Sequence, residues 1–414
     1  MIKWPFITIN ELIENEEANL QTGPFGTQLK ASEYVTRGIP VINVRNIGYG
    51  KIRNEKLEFI DEQKAANLSV HNLKKGDIVF GRKGAVDRHA LIDEKTEGWV
   101  QGSDCLRLRV KSKQVYNKYL SNYFATSGHK YWMEALCSFG ATMSFLNQDI
   151  VKRIKVPLPP IENQKKIAAT LSTYDDLIEN NKRRIALLEK MAEEIYREWF
   201  VRMRFPGHKK VKFYKGLPTD WIKTNAKSIV DRKPFGKIYR EKDLHDDGNI
   251  VVVDQSRSDQ LGFYDGDPQH IATSDNPIIL FGDHTCKMVL MTKPFSLAEN
   301  MIPFLPKNKI PPFFLYHLIK DLTNTSEYKR HWTELTNKDV LIPYERLQKR
   351  FDAIVKINHK KIEVLNESIV HASRARNMLL GRLISGKLPV DSLDIQHPPS
   401  MQNEKDVDHA QLHL

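Results

Sequence analysis

The chain contains itself twice. "PFGTQLKASEYVTRGIPVINVR", residues 24–45, and "PFGKIYREKDLHDDGNIVVVDQ", residues 234–255, both open on Pro-Phe-Gly and both place a glycine, Gly38 or Gly248, before an apolar strand. The register holds without a gap, since 234 − 24 and 248 − 38 are both 210. Upstream, "KWPFITINELI" from Lys3 matches "DWIKTNAKSIV" from Asp220; downstream, "GDIVFGRKGAVDRHALI" from Gly76 matches "NPIILFGDHTCKMVLMT" from Asn276. Further on, "FLNQDIVKRIKVPLPPIENQKKI" faces "ELTNKDVLIPYERLQKRF" with Gln164 opposite Gln348. There the offset is 348 − 164 = 184, so the second copy has shed residues, which are expected mostly from loops. A period this long excludes solenoids and propellers, whose repeats run about 20 to 50 residues, and leaves a tandem pair.

Each copy reads as a mixed α/β globule of about 150 residues followed by one long helix. Short β-rich runs at Pro40 to Val44, Asp77 to Phe80, Ile250 to Val253 and Ile278 to Phe281 alternate with helical patterns at Tyr116 to Ser127 and Pro312 to Leu322. The fold class expected is α+β, a pseudo-twofold repeat of two globules separated by two long antiparallel coiled-coil helices. The boundaries are 1–155 and 206–341 for the globules, 156–205 and 342–390 for the helices, and 391–414 for a mobile tail without apolar periodicity.

Pro159 and Pro160 suit the entry to a helix, because proline lacks an N–H that the first turn cannot use. Spacings of four and three then select Ile167, Leu171, Tyr174, Ile178, Asn181, Ile185, Leu188, Ala192, Ile195 and Trp199. The second copy yields Phe351, Val355, Asn358, Ile362, Leu365, Ile369, Ala372, Arg376, Leu379 and Leu383. These are coiled-coil seams, each broken by one asparagine. Asn181 and Asn358 differ by 177, seven fewer than the glutamines, so one heptad is missing and the apolar face keeps its direction. A seam of about 33 residues spans about 50 Å at 1.5 Å per residue, longer than a small globule is wide. Such helices are expected to pack on each other, and the paired asparagines either fix their register or face solvent.

The 63 Lys and Arg exceed the 51 Asp and Glu by 12, a surplus that suits an anionic partner such as nucleic acid. Cys105, Cys137 and Cys286 stand far apart, with no C-x-x-C spacing for zinc or redox chemistry, and read as core residues of a reduced, cytoplasmic protein. "MIKWPFITINELIENEE" turns acidic where a signal peptide needs an apolar stretch, and no run of about 18 apolar residues occurs, so neither secretion nor a membrane is expected.

The connector "PLPPIENQKKIAATLSTYDDLIENNKRRIALLEKMAEEIYREWF" combines a proline pair, E-x-Q, a Lys-Ile-Ala-x-x-Leu run, Asp-x-x-Ile and a Leu-Leu-Glu-Lys heptad. With the twofold plan, it resembles the specificity subunit of type I restriction-modification enzymes over nearly the whole chain. "GIPVINVRNIGYGKI" and "KKGDIVFGRKGAV" are similar to that family's target-recognition domains, whereas the second copy departs at Tyr344, in place of the second proline, and at Gly-Asn-Ile in place of Gly-Ile-Pro. The resemblance implies a non-catalytic subunit whose two target-recognition domains each read half of a split, asymmetric site in double-stranded DNA, the helices setting the gap. It implies two methyltransferase subunits docked on those helices, transferring methyl from S-adenosylmethionine to adenine N6, and restriction subunits that translocate and cut. S-adenosylmethionine, ATP and magnesium would belong to those partners, and none to this chain.

Phosphate contacts need Lys and Arg, and base discrimination needs side chains such as Arg, Asn, Gln, Ser or Asp on turns. The first copy offers Arg45 and Asn46 after one strand, Arg82, Lys83, Arg88 and His89 after the next, and Gln101, Ser103 and Asp104 on a further turn. The second offers Gln255, Ser256 and Arg257, then Asp283, His284 and Lys287, then Asn300. Lys209, Lys210 and Lys212 form a basic connector that is either a solvated linker or a phosphate contact.

Catalytic signatures are missing. Ile310-Pro311-Pro312-Phe313 is similar to the Asn-Pro-Pro-Phe loop of adenine methyltransferases, but isoleucine stands where the asparagine must accept the amino proton. Glu327-Tyr328-Lys329 has no Pro-Asp pair upstream to complete a nuclease motif, and no phosphate-cradling G-x-x-x-x-G-K-[ST] occurs. His208, His317 and His371 read as surface or packing residues rather than metal ligands. A coiled-coil scaffold that binds proteins and a stand-alone nuclease remain the competing functions.

Overall fold

Two units make up the chain, each built on one copy of the repeat and on one half of each long helix: residues up to 179 with those from 369 onward, and Asn180–Ser368. The computed structural model describes residues 4–137, 144–256, 260–325 and 329–402. The first module runs β1 (Phe6–Thr8), α1 (Ile9–Glu14), β2 (Ala18–Thr22), β3 (Ile39–Ile42), β4 (Tyr49–Gly50), β5 (Glu58–Ile60), α2 (Glu62–Asn67), β6 (Ile78–Gly81), β7 (His89–Leu91), β8 (Val100–Gln101), β9 (Cys105–Val110), α3 (Asn117–Phe124), α4 (Ser127–Cys137), α5 (Gln148–Lys152) and β10 (Lys155–Pro157). The long helix α6 (Ile161–Tyr196) follows and ends in a π-helical turn over Arg197–Val201. The second module runs β11 (Phe213–Tyr214), β12 (Leu217–Pro218), β13 (Ile222–Asn225), β14 (Val230–Arg232), β15 (Ile250–Val253), β16 (Gln260–Tyr264), β17 (Ile278–Gly282), β18 (Met288–Met291), β19 (Phe295–Leu297), β20 (Met301–Pro306), α7 (Pro312–Ile319), α8 (Trp332–Asn337) and β21 (Asp339–Ile342), then the long helix α9 (Glu345–Ile384).

Apart from β4, the first module's sheets repeat in the second. In the first module β1 pairs antiparallel with β10, a main sheet has the order β2-β9-β6-β7-β4, and a small sheet the order β5-β3-β8. In the second, β13 pairs antiparallel with β21, the main sheet is β14-β20-β17-β18, and the small sheet β16-β15-β19. Each small sheet has a central strand, β3 or β15, antiparallel to one neighbour and parallel to the other. The two sequence copies are therefore two copies of one topology.

The offset between equivalent strands shows where the copies differ. It is 250 − 39 = 211 at β3 and β15 but 260 − 58 = 202 at β5 and β16; the first module carries β4 in between. It is 301 − 105 = 196 at β9 and β20 but 339 − 155 = 184 at β10 and β21, where the first module carries α4. The shed residues thus include a strand and a helix as well as loop, and neither β4 nor α4 has a counterpart among the described residues of the second module.

Main-sheet strands are apolar on both faces because both are covered. Ile78 and Phe80 of β6 join a core with α1, α3 and both long helices, while Val79 between them joins a separate core over the small sheet. β17 alternates the same way: Ile279 and Phe281 face the helices, Ile278 and Leu280 the small sheet.

Within each unit the two long helices run antiparallel. In the first, Ile167 and Leu171 of α6 share a core with Leu380, Leu383 and Ile384 of α9, and Asp175 pairs with Arg376. In the second, Ala192 shares a core with Phe351 and Val355, and Asn181 donates to Ser368 at 2.9 Å. The seam residues Ile167, Leu171, Ile178, Asn181, Phe351, Val355, Asn358, Ile362 and Leu365 are buried, and Tyr174, Ile185, Leu188, Ile195 and Ile369 half-buried. Both asparagines lie inside the seam, yet they do not pair with each other: Asn358 Nδ2 has no partner.

Gln164 and Gln348 are structural equivalents. Each amide Nε2 donates to the carbonyl five residues earlier, Pro159 at 2.8 Å and Pro343 at 2.6 Å, tying the strand-to-helix turn shut. The described residues after α9 touch the first unit at several points. Val390 is buried in the first unit's core, Asn163 donates to Asp391 at 2.6 Å, and Ser400 N donates to Asp176 at 3.0 Å. Cys105 and Cys137 are core residues as expected, but Cys286 is only half-buried, in a turn with φ +54°.

Candidate nucleic-acid interface

Antiparallel pairing gathers the first module's turns at one end of its main sheet. β2 ends at Thr22 opposite Leu106, β6 ends at Gly81 opposite Cys105, and Phe80 faces His89 at the start of β7. The segments leaving or entering these strands therefore form one rim. Arg82 N donates to Asp104 O at 2.9 Å, Leu146 N to Arg82 O at 2.8 Å, and Gly23 N to Cys105 O at 2.9 Å, so the turns brace one another. The approach is tight: a Cβ on Gly23 would lie 1.9 Å from Gly102 O.

On this rim Arg82 lies over the Phe145 ring at 4.9 Å, Lys83 pairs with Asp104 at 3.0 Å, and Arg88 and Ser103 are half-buried. Arg45, at the end of β3, is exposed and pairs with Glu58 at 2.7 Å. Three expected readers are withdrawn from the surface. Asn46 is buried, its Oδ1 accepting from Asn43 N and its Nδ2 donating to Arg53 O and Glu55 O, so it staples the loop after β3. His89 is fully buried with Nε2 2.8 Å from Ser121 Oγ, and burial pushes its pKa down to about 3. Gln101 is fully buried, donating to Gln21 O and Cys105 O. A polar residue next to a strand end satisfies the protein's own backbone as readily as it meets a ligand.

The second module builds the same rim. The β17–β18 turn carries His284 and Lys287, both half-buried; His284 N donates to Gln255 Oε1 at 3.1 Å, and Lys287 Nζ donates to Ser256 O. Asn300, at φ +63°, accepts from Asp283 N at 2.9 Å. Arg232 lies over Phe235 at 4.8 Å, as Arg82 lies over Phe145. Asp283 is a structural residue: its carboxylate accepts from the backbone N–H of His331 and Trp332 and so caps α8. Arg257 lies outside the described residues.

Sequence reading missed several rim residues. A cleft of about 370 Å³ beside the end of β2 is lined by Gln21, Phe25, Gln28, His71 and Gln148. Phe25, Tyr49 and Phe145 are exposed aromatics, and Lys130 of α4 reaches Tyr49. Solitary aromatics near a glycine are the one hint the sequence carries.

Ile310-Pro311-Pro312-Phe313 is a helix start and not a catalytic loop. Pro312 opens α7, the N–H groups of Phe313 and Phe314 donate to Asp352 Oδ1, and both phenylalanines are buried. Among the described residues no helix is long and apolar enough to cross a membrane.

Residues 1–190 match the model of the type I restriction modification DNA specificity domain. The chain is 25% identical over 398 residues to the type I restriction enzyme MjaIX specificity subunit of Methanocaldococcus jannaschii, covering 88% of this chain and 90% of that one. The type I restriction enzyme MjaVIII specificity subunit of the same organism is 24% identical over 196 residues, 46% of this chain and 44% of that one. The first module is thus similar to a type I restriction modification DNA specificity domain, and the chain along most of its length to type I specificity subunits. The crystal structure of the type I restriction-modification system S subunit from M. genitalium shares the fold, with a TM-score of 0.58 at 18% identity over 92% of this chain and 96% of that one. These likenesses are to DNA specificity domains and subunits, and they give no support to the scaffold and nuclease alternatives.

Proposed function

We propose that this chain is a specificity subunit that reads a split, asymmetric site in duplex DNA, one half with each rim, and so directs adenine N6 methylation or restriction by its partner subunits. The observation that carries the reading is the duplication of the rim itself. The same sheet end in each module presents the same kind of turns, with different side chains: Arg45, Arg82, Lys83, Arg88 and Ser103 in one, Gln255, Ser256, His284, Lys287 and Asn300 in the other. Equal scaffolds with unequal side chains suit two different half-sites.

The long helices supply the gap. α6 spans 36 residues and α9 spans 40, about 54 and 60 Å at 1.5 Å per residue, more than enough to bridge successive major grooves, which recur about every 34 Å. Both helices also expose apolar side chains outside the seam. Leu187 and Met191 stand on α6, and Ile357, Val364 and Met378 recur at multiples of seven on α9. These faces suit the two methyltransferase subunits, which would bring S-adenosylmethionine, with ATP and magnesium belonging to the restriction subunits.

Mapping methylated adenines in cells that express the complete system tests both parts. The expected pattern is a split site, and inserting one heptad into α6 and into α9 should lengthen its gap by about three base pairs while each half-site keeps its sequence. An unsplit site, or half-site sequences that change with the insertion, would overturn the proposal.

A further inference from the structure

β4 and α4, the two elements without a counterpart among the described residues of the second module, meet at one side chain. Tyr49 opens β4 at the edge of the main sheet and is 44% exposed. The Arg88 guanidinium carbon lies 5.6 Å from its ring centroid, and Lys130 Nζ, from α4, lies 3.7 Å from it. The tyrosine hydroxyl donates to Asp87 Oδ2 at 2.6 Å, which occupies the nearest carboxylate. Neither Arg88 nor Lys130 forms an ion pair among the described residues, and Arg88 Nε is buried without a hydrogen-bond partner.

Two cations held on one ring, neither in an ion pair, beside an Asp87 carboxylate already engaged by the tyrosine hydroxyl, are an unfinished electrostatic arrangement. A cation–π contact contributes only about 0.5 to 1 kcal/mol at an exposed site and does not cancel charge. Burial lowers the pKa of Lys130, and an arriving anion would act against that shift. The group also adjoins the rim, since Arg88 ends the β6–β7 turn that carries Arg82 and Lys83.

The geometry points to a phosphodiester site: Arg88 and Lys130, positioned by Tyr49, grip one backbone phosphate of the DNA beside the first half-site. This inference rests on the DNA-reading role proposed above and adds an anchor that the described residues of the second module do not repeat. A phosphate carries two non-bridging oxygens, one for the guanidinium fork and one for the ammonium, and it carries no sequence information. The anchor therefore fixes where the first module sits without choosing bases.

The test uses the full chain assembled with its methyltransferase subunits and a duplex carrying its methylation site, with affinity measured across salt. Lys130→Gln should weaken binding about three- to tenfold near physiological salt and reduce the slope of log affinity against log salt by about one. The loss should be equal for the correct site and for a duplex with one altered half-site. A neutral methylphosphonate placed at each backbone position in turn should reproduce the loss at one position only, and there Lys130→Gln should add nothing. Tyr49→Leu, which leaves both cations in place but unheld, should give part of the same loss.

An unchanged slope for Lys130→Gln, a loss confined to one base pair, or additive losses at every methylphosphonate overturns the anchor. Binding of inorganic phosphate that Lys130→Gln removes without touching DNA affinity overturns it too. If the unsubstituted assembly binds no duplex at any salt, the DNA-reading role falls first and the anchor with it.

Discussion

The two modules solve one packing problem with different chemistry. Where α3 meets the long helices in the first unit, Arg376 of α9 forks onto Asp175 of α6, Nε to Oδ1 at 2.8 Å and Nη2 to Oδ2 at 3.1 Å, and Nη2 also reaches Asn122 Oδ1 of α3 at 3.3 Å. The glutamine offset of 184 carries Asp175 to His359 and Arg376 back to Ala192, and the α3-to-α7 offset of 312 − 117 = 195 carries Asn122 to His317. In the second unit these three residues line one cleft of about 520 Å³. An arginine has become an alanine, its carboxylate partner a histidine, and space has opened where the guanidinium would lie. Burial holds His317 down to about 3 and His359 to about 4, so both stay neutral at pH 7. The backbone repeat thus tolerates an ion pair or a pair of neutral rings at this layer, because what the layer must do is exclude water between three helices.

Removing the arginine would break the comparison most severely. Arg376→Ala leaves Asp175, three-quarters buried, without its bidentate partner, and leaves Asn122 Oδ1 without its donor. The expected loss is about 2 to 3 kcal/mol, below the range for fully buried pairs because both side chains keep some solvent. Chemical denaturation of the purified chain measures it. Ala192→Gly, at the equivalent position of the second unit, should cost about 1 kcal/mol through helix propensity alone.

Acid should act on both units through their buried histidines. His89 and His129 in the first are held to about 3 and about 4, His317 and His359 in the second likewise, in every case chiefly by burial. A histidine whose folded pKa is depressed is neutral in the native state but takes up a proton on unfolding below about pH 6.5, so its contribution is present above that pH and is lost as pH falls towards 4. At pH 5 each such residue should cost about 1 to 2 kcal/mol relative to pH 7. Melting followed between pH 7 and pH 5 checks this, and His317→Phe, which keeps a ring beside Tyr196 and Phe351, should flatten the curve for the second unit. A melting temperature independent of pH over that interval would mean these rings are solvated.

Much of this architecture is legible in the sequence because it is written in burial. The seams can be read at spacings of four and three because Ile167, Leu171, Phe351 and Val355 must all meet a partner helix, and Gln164 and Gln348 stand out because each closes the same turn. The rim is legible only as a set of turns. Arg82 and Lys83 do stand on it, but Asn46, His89 and Gln101 turn inward, and nothing in a polar residue's identity says which way it faces beside a strand end. The cluster at Tyr49 escaped because its members, residues 49, 87, 88 and 130, come together only through β4 and α4, which no repeat partner outlines. The segment after α9 escaped because its anchors are hydrogen bonds from Asn163 and Lys166 rather than an apolar pattern.

A finer test asks whether the two junctions are interchangeable. Ala192→Arg alone should destabilise the second unit, since the new guanidinium enters a cleft walled by neutral His317 and His359, whose lining carboxylates, Glu189, Glu193 and Glu194, all stand on α6 itself. His359→Asp alone should also destabilise, because it places a carboxylate beside the Phe313 ring, where the histidine now packs at 4.9 Å. Combined, the two substitutions restore the residue types that face each other as Asp175 and Arg376 in the first unit. The double variant should therefore be more stable than the sum of the singles by about 1 kcal/mol, a coupling typical of neighbouring charges in partial burial. Denaturation of the four proteins in the cycle gives that number directly. Coupling indistinguishable from zero would mean that the cleft has relaxed around alanine, and that the two units share a fold at this layer without sharing its geometry.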